Sequence, residues 1–318
     1  NLAALGFKFK SEDVVLLTDK EHNSNLLPWL RLQKEGLIKV EYVGTDDSDE
    51  FDLSGFERKM KNDRVRFVSM AYTSNVTGCS IPAGEIIKIA HQYGAAVMLD
   101  AAQAVPRRKI DVRELNVDFM VFSMHKMCGP RGVGVLYGKK KLLGNNFNGE
   151  NEENHVIEPA ILGGGTVADA TYQSYNILSS PECFEAGIQN YPAQIASGKA
   201  VQYLQEIGME RISTREIQLN SFLTGELMDR YGNKEWFRIL GPWNAARRGG
   251  ILTFEVKRPN AVRIAEELSN KNNIMIRDGA FCAHSYFNKQ FGQGWSFPKS
   301  HNEHRMTYRV SFYFYNTI

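Results

Sequence analysis

The sequence predicts an α/β protein: a mostly parallel sheet covered by helices on both faces, followed by a smaller α+β unit. Three observations lead there. Short β-branched runs alternate with helical periods over the first part of the chain, and several of these runs are almost continuously hydrophobic, as strands are when both faces of a sheet are covered. Beyond a polar stretch, the alternation gives way to a long helical segment and a few spaced strands.

Taken in order, Val14 to Leu17 reads as a strand, Leu26 to Lys34 as a helix, Ile38 to Val43 as a strand and Leu53 to Met60 as a short helix. Val65 to Ala71 is a strand, and Ala83 to Tyr93 a helix opened by Pro82, whose fixed φ suits a first turn. Ala95 to Leu99, Phe119 to Phe122 and Gly132 to Tyr137 complete the first set of strands. The polar run 145–154 reads as a solvated loop, and Gly163-Gly164-Gly165-Thr166 follows it. From Pro192 to about Tyr231 the period is helical, with a break at Gly208. The remainder reads strand (Gly250 to Val256), helix (Ala261 to Lys271), strand (Ile274 to Ile276), loop and strand (Tyr308 to Tyr313). The expected division is a large domain over 1–205 and a small one over 206–318.

Composition excludes several function classes. With 38 basic and 36 acidic side chains the formal charge is +2, and no basic block longer than Lys139-Lys140-Lys141 appears, which argues against a nucleic-acid binder. A hydrophobic fraction of 43% places the chain among globular proteins, and no run approaches the ~18 apolar residues of a membrane span. Cys79, Cys128, Cys183 and Cys282 form no CxxC pair; this disfavours a zinc site or a disulfide framework and points to a reducing compartment, the cytoplasm.

Chemistry concentrates between Asp100 and Lys126. Asp100 ends the apolar run Ala96-Val97-Met98-Leu99, and Phe119 to Phe122 ends in Ser123-Met124-His125-Lys126. Ligands of such sheets bind at the carboxyl ends of strands. A lysine one step past a buried strand is a poor core residue and a good amine for an aldehyde, because desolvation favours its neutral, nucleophilic form. Ser123 and His125 supply donors for an anion such as a phosphate, and an acid at a neighbouring strand end could hold a pyridine nitrogen protonated. The competing reading makes Asp100 and Lys126 ordinary strand-end polar residues.

Leu99-Asp100-Ala101-Ala102-Gln103-Ala104, Phe122-Ser123-Met124-His125-Lys126 and Gly129-Pro130-Arg131-Gly132-Val133-Gly134 together resemble class V of the fold-type I pyridoxal-phosphate (PLP) enzymes. Within that class the chain is most similar to SUF-type cysteine desulfurases and selenocysteine lyases, over nearly its whole length. The resemblance implies a seven-stranded type of sheet and PLP as cofactor. It also implies an upstream phosphate loop before Asn1 and a closing helix after Thr317, both outside this sequence. Carried over, the pattern makes Lys126 the residue that binds PLP covalently, and Asp100 the partner of the ring nitrogen. Gln103 would meet the phenolic oxygen, while Ser123 and His125 hold the phosphate. His22 matches the histidine that stacks on the ring and assists proton transfer, although alone it reads as an exposed loop histidine. Asn75 matches an asparagine reaching the ring oxygen and the substrate carboxylate, although alone it reads as a turn residue before Gly78.

Arg309 lies within the otherwise apolar and aromatic run Tyr308 to Phe312, where a guanidinium is expensive to bury unless it grips a carboxylate; by resemblance it binds the substrate α-carboxylate. Arg277 matches a second arginine near the catalytic cysteine, with a salt bridge to Asp278 or another acid as the alternative. Cys282, in a Gly-containing loop, is expected to be mobile and accessible, and by resemblance is the nucleophile that takes sulfur from the substrate. Ala280 and Phe281 stand before it where many desulfurases carry histidines. Ile188 replaces a family threonine whose hydroxyl reaches a phosphate of the neighbouring subunit, with Gln189 or Tyr191 as substitutes, and residues 288–298 form an aromatic, Gly-rich insertion.

The expected activity is PLP-dependent cysteine desulfuration, yielding alanine and an enzyme persulfide, in a homodimer that serves a sulfur-acceptor protein. The alternatives are a class V aminotransferase, lyase or epimerase in which Cys282 is incidental, and a non-enzymatic scaffold for sulfur-transfer partners.

Overall fold

A computed structural model describes residues 1–45, 50–144, 157–293 and 305–317. The polar run 145–154 and residues 294–298 of the insertion lie outside the described residues. The first half runs α1 (Leu2–Gly6), β1 (Val14–Thr18), α2 (Asn23–Lys34), β2 (Lys39–Val43), α3 (Leu53–Met60), β3 (Val65–Ala71), α4 (Ala83–Gln92), β4 (Ala96–Asp100), α5 (Val112–Leu115), β5 (Phe119–Ser123) and β6 (Gly134–Gly138). There follow β7 (Val167–Ala170), β8 (Tyr175–Ile177), α6 (Tyr191–Ile207), α7 (Met209–Tyr231), β9 (Phe237–Leu240) and α8 (Ala245–Arg248). The chain continues with β10 (Ile251–Lys257), α9 (Ile264–Asn272), β11 (Arg277–Asp278), α10 (His284–Phe291) and β12 (Arg305–Ser311).

The larger sheet has the order β2-β1-β3-β4-β5-β6, parallel except for β6, which pairs antiparallel with β5. Its inner strands β1, β3, β4 and β5 are largely apolar because successive side chains feed two cores. Val14, Leu16, Val68, Val97, Leu99 and Met120 pack with Phe56 and Met60 of α3 and Ile86 and Ile87 of α4. Val15, Leu17, Phe67, Met98 and Phe119 pack on the other face with Ala3 and Ala4 of α1 and Leu26, Trp29 and Leu32 of α2. The sheet holds six strands among the described residues, not the seven that the resemblance implies. A seventh would pair at one of the two edges, β2 or β6, beyond which no described strand lies.

The second sheet, β11-β12-β10-β9, is antiparallel. Phe237, Ile239, Leu252, Phe254, Val256 and Met306 build its core against Leu223 and Leu227 of α7. Gly208, at φ 93°, separates α6 from α7, a conformation that suits glycine. Three corrections to the sequence reading arise here. The strand expected at 274–276 is displaced to β11, because Asn273 is left-handed (φ 55°) and the Ile274 N–H still bonds the Leu268 carbonyl, so these residues close α9. Strand β9 and the β7–β8 hairpin were not expected: β9 is only four residues long, and the hairpin is short and largely exposed, so it leaves no strong apolar pattern. Finally, α2 starts at Asn23, three residues early, because His22 caps it. No helix among the described residues is long and apolar enough to cross a membrane.

Candidate active site

Strand order opens a crevice. From β1 the chain moves outward to β2 and returns to β3 on the opposite side, so the segments leaving β1 and β3 diverge at a topological switch point. At that edge a cavity of about 740 Å³ is lined by His22, Asn75, Asp100, Gln103, Ser123, His125 and Lys126, among others. Seven residues from four separate strand ends thus share one space.

Lys126 ends a short 3₁₀ turn directly after β5. Burial pushes its pKa down, and Arg309 and Arg107 act in the same direction, against the opposing charges of Asp100 and Cys282. The amine is thereby biased toward its nucleophilic form. The His22 Nδ1 accepts from the Ser24 N–H at 3.1 Å, which places the ring proton of the neutral form on Nε2. Burial lowers the His22 pKa, with Asp100 opposing. The Ala102 N–H donates to Asp100 Oδ1 at 3.0 Å, and Arg107 Nη2 donates to Gln103 Oε1 at 3.4 Å. With its oxygen engaged by Arg107, the Gln103 amide is left to act as a donor elsewhere.

Arg309 comes from the other sheet. Its Nη1 donates to the Asn75 carbonyl at 2.9 Å, while its Nε is buried without a partner among the described residues. Burial first, then Arg277 and Arg107, push its pKa down to about 10. Arg277 is its direct register partner across the β11–β12 ladder. Like charges in that position repel, so the pair is suited to an anion between or beside them. Arg277 makes no ion pair with Asp278 among the described residues.

Cys282 is exposed, as expected, and its loop makes three hydrogen bonds. The Phe281 carbonyl accepts from Asn75 Nδ2 at 2.7 Å, the Cys282 carbonyl accepts from the Asn23 N–H at 2.7 Å, and the Ala283 N–H bonds the Ala280 carbonyl at 2.8 Å. Cys282, Arg309 and Arg277 do not line the cavity. Cys282 and Arg309 are nevertheless near enough for Lys126 to feel their charges. Ile188, where a hydroxyl would be expected, is 95% exposed, and Gln189 bonds its own loop at the Gly187 carbonyl.

Two groups escaped the sequence reading. Glu21 is 1% exposed and accepts from Thr18 Oγ1 (2.6 Å), Asn25 Nδ2 (2.7 Å) and the Ala71 N–H (3.0 Å), joining the ends of β1 and β3 to the first turn of α2. The Thr18-x-x-Glu21 spacing, a capping pattern, was the available signal. Arg107 ion-pairs with the buried Glu216 of α7 and donates to the Phe312 carbonyl at 3.2 Å. Neither partner can be inferred from local sequence.

The family model described as Aminotransferase class-V matches residues 1–318. A probable cysteine desulfurase of Pyrococcus abyssi is 33% identical over 321 residues, covering 100% of this chain and 72% of that protein. A cysteine desulfurase of Synechococcus elongatus is 34% identical over 309 residues, but this chain spans only 44% of its length. Among solved structures, the apo cysteine desulfurase of Thermococcus onnurineus superposes with a TM-score of 0.85 at 32% identity, over 100% of this chain and 72% of that one.

Proposed function

The chain belongs to the aminotransferase class-V family, and from that premise we propose that it is a PLP-dependent cysteine desulfurase. The observation that carries the reading is the convergence of Lys126, Asp100, Gln103, His22, Ser123 and His125 on one cavity. That donor set fits PLP: an amine for the aldehyde, a carboxylate for the ring nitrogen, an amide donor for the phenolic oxygen, an imidazole for the ring face, and two donors for the phosphate. When bound, PLP supplies an electron sink for charge developing at the substrate Cα.

The rest falls to the chain's own residues. Arg309, with its unpaired Nε, binds the α-carboxylate, Asn75 fixes Arg309 through its carbonyl, and Arg277 adds positive charge beside them. The Lys126 amine, assisted by His22, takes the proton from the substrate Cα. Cys282 Sγ then attacks the cysteine sulfur; the Cβ–S electron pair passes to carbon, which takes up a proton, leaving alanine and a Cys282 persulfide. A sulfur-acceptor protein receives that sulfur at the exposed loop, and the reducing cytoplasm keeps the four thiols free. A homodimer is supported by the exposed Tyr172, Tyr175, Ile188, Tyr191 and Ile195 of the β7–β8 hairpin, the loop after it and the start of α6, apolar side chains suited to a partner surface.

The test supplies PLP and cysteine, and follows alanine, sulfide and the absorbance of bound cofactor. Cys282→Ala is expected to keep a Lys126-dependent band while alanine and persulfide fall to background. A second reading, an aminotransferase, lyase or epimerase with Cys282 incidental, draws on Ala280 and Phe281. It requires turnover of an amino acid without sulfur release; full sulfide production by Cys282→Ala would instead keep the sulfur chemistry and remove Cys282 as its nucleophile. Absence of a Lys126-dependent band would instead favour a scaffold.

A further inference from the structure

Resting on Arg309 as the carboxylate-binding residue, we propose that Phe281 is a positioning residue that sets amino-acid affinity by holding the Arg309 guanidinium. Its buried ring lies 5.1 Å from Arg309 Cζ, within cation–π range. Guanidinium hydrogen bonds lie in the plane of the group, so a ring set against it leaves those bonds available. One edge is already used, since Nη1 donates to the Asn75 carbonyl, and Asn75 Nδ2 in turn donates to the Phe281 carbonyl. Phe281, Arg309 and Asn75 therefore form a closed circuit of one ring contact and two hydrogen bonds. The Nε side of the fork stays buried and unpaired among the described residues, and a carboxylate engages such a fork through two parallel N–H groups.

The backbone supports a dedicated role. Phe281 has φ 49° and Cys282 φ 58°, and a bulky residue in the left-handed region is an outlier that persists only where its surroundings fix it. Here the Asn75 bond fixes the carbonyl, and Val76 and Phe287, the latter edge-on at 5.6 Å, fix the ring. The ring meets the arm of Arg309, whereas the loop of Cys282 is held through its backbone, by Asn75 Nδ2 at the Phe281 carbonyl and the Asn23 N–H at the Cys282 carbonyl.

The experiment uses cofactor-loaded protein as wild type, Phe281→Leu and Phe281→Tyr. Calorimetry gives the Kd of L-alanine, a product-like amino acid without sulfur, and steady-state assays give KM and kcat for cysteine. For Phe281→Leu the alanine Kd and the cysteine KM are expected to rise about 3- to 30-fold, as for loss of a partly desolvated cation–π contact. The kcat and the cofactor band should hold, and Phe281→Tyr should restore wild-type affinity. Should Phe281→Leu fail to fold, Phe281→Met keeps the volume without the ring and answers the same question. Unchanged Kd and KM, a fall in kcat alone, or no rescue by tyrosine would overturn the proposal. A wild-type protein that binds alanine yet releases no sulfide would overturn the desulfurase reading instead and leave this one standing.

Discussion

Glu21 occupies the middle of a polar tetrapeptide and yet is almost wholly excluded from water. Burial pushes its carboxyl up to about 7 from the ordinary 4.5, with hydrogen bonds from Thr18, Asn25 and Ala71 opposing and Asp100 adding to the rise. A raised carboxyl pKa means that the folded chain holds a proton the unfolded chain releases, so stability falls as pH climbs from about 4.5 to about 7. Glu21→Gln is expected to flatten that part of the profile, whatever its effect on absolute stability. Denaturant midpoints at pH 5 and pH 8 check it, and equal pH slopes in both proteins would refute it. Lys126 and Asp100 were legible in sequence because each charged residue terminates a visible apolar strand. Glu21 was not, since a Thr-Asp-Lys-Glu-His run looks solvated until α2 and β3 close over it. Phe281 was hidden for another reason: its partners Asn75 and Arg309 stand far away in the chain.

At the scale of elements, the loop after β3 joins the two sheets. Thr253 Oγ1 of β10 donates to the Val76 carbonyl at 2.5 Å, and Gly78, at φ 75°, lies where an added Cβ would meet the Arg248 carbonyl of α8. Positive φ and a backbone obstruction act together there. Gly78→Ala is expected to destabilise toward the upper end of the ~0.5–3 kcal/mol range of single substitutions, read as a lower denaturant midpoint. Gly36→Ala, with a similar φ but open space, should cost less, and the comparison separates the two causes. Long elements were recoverable from periodicity: β3 and α3 fall where the pattern puts them, and α6 and α7 meet at Gly208. The two-residue β11 could not be seen, because its strand character comes only from pairing with β12.

Across the whole molecule, Arg107 ties the larger sheet to α7 and to the chain following β12. Burial pushes Glu216 up to about 7 against the attraction of Arg107, with which it forms a direct ion pair. Arg107→Ala would strand an unneutralised acid and open a gap in a site that is closely packed in the wild type, where a Cβ on Gly250 would meet both side chains. Unfolding free energy is expected to fall by about 3 kcal/mol, the lower end for a broken buried pair because Glu216 can take up a proton. The loss should be greater at pH 8 than at pH 6, since only the unfolded chain can then keep the carboxylate ionised at no penalty. An equal loss at both pH values would contradict the expectation.

The residues proposed to cradle PLP belong to the strand ends of one sheet, whereas Arg309, Arg277 and Cys282 belong to the other or to its loops. This separation has an evolutionary reading. Substitutions on the second sheet can retune which amino acid is admitted, or where its side-chain atoms are delivered, while the first sheet's chemistry is inherited intact. On the proposed roles, new specificity can then arise by variation in a few residues around Phe281, without rebuilding the arrangement of Lys126 and Asp100.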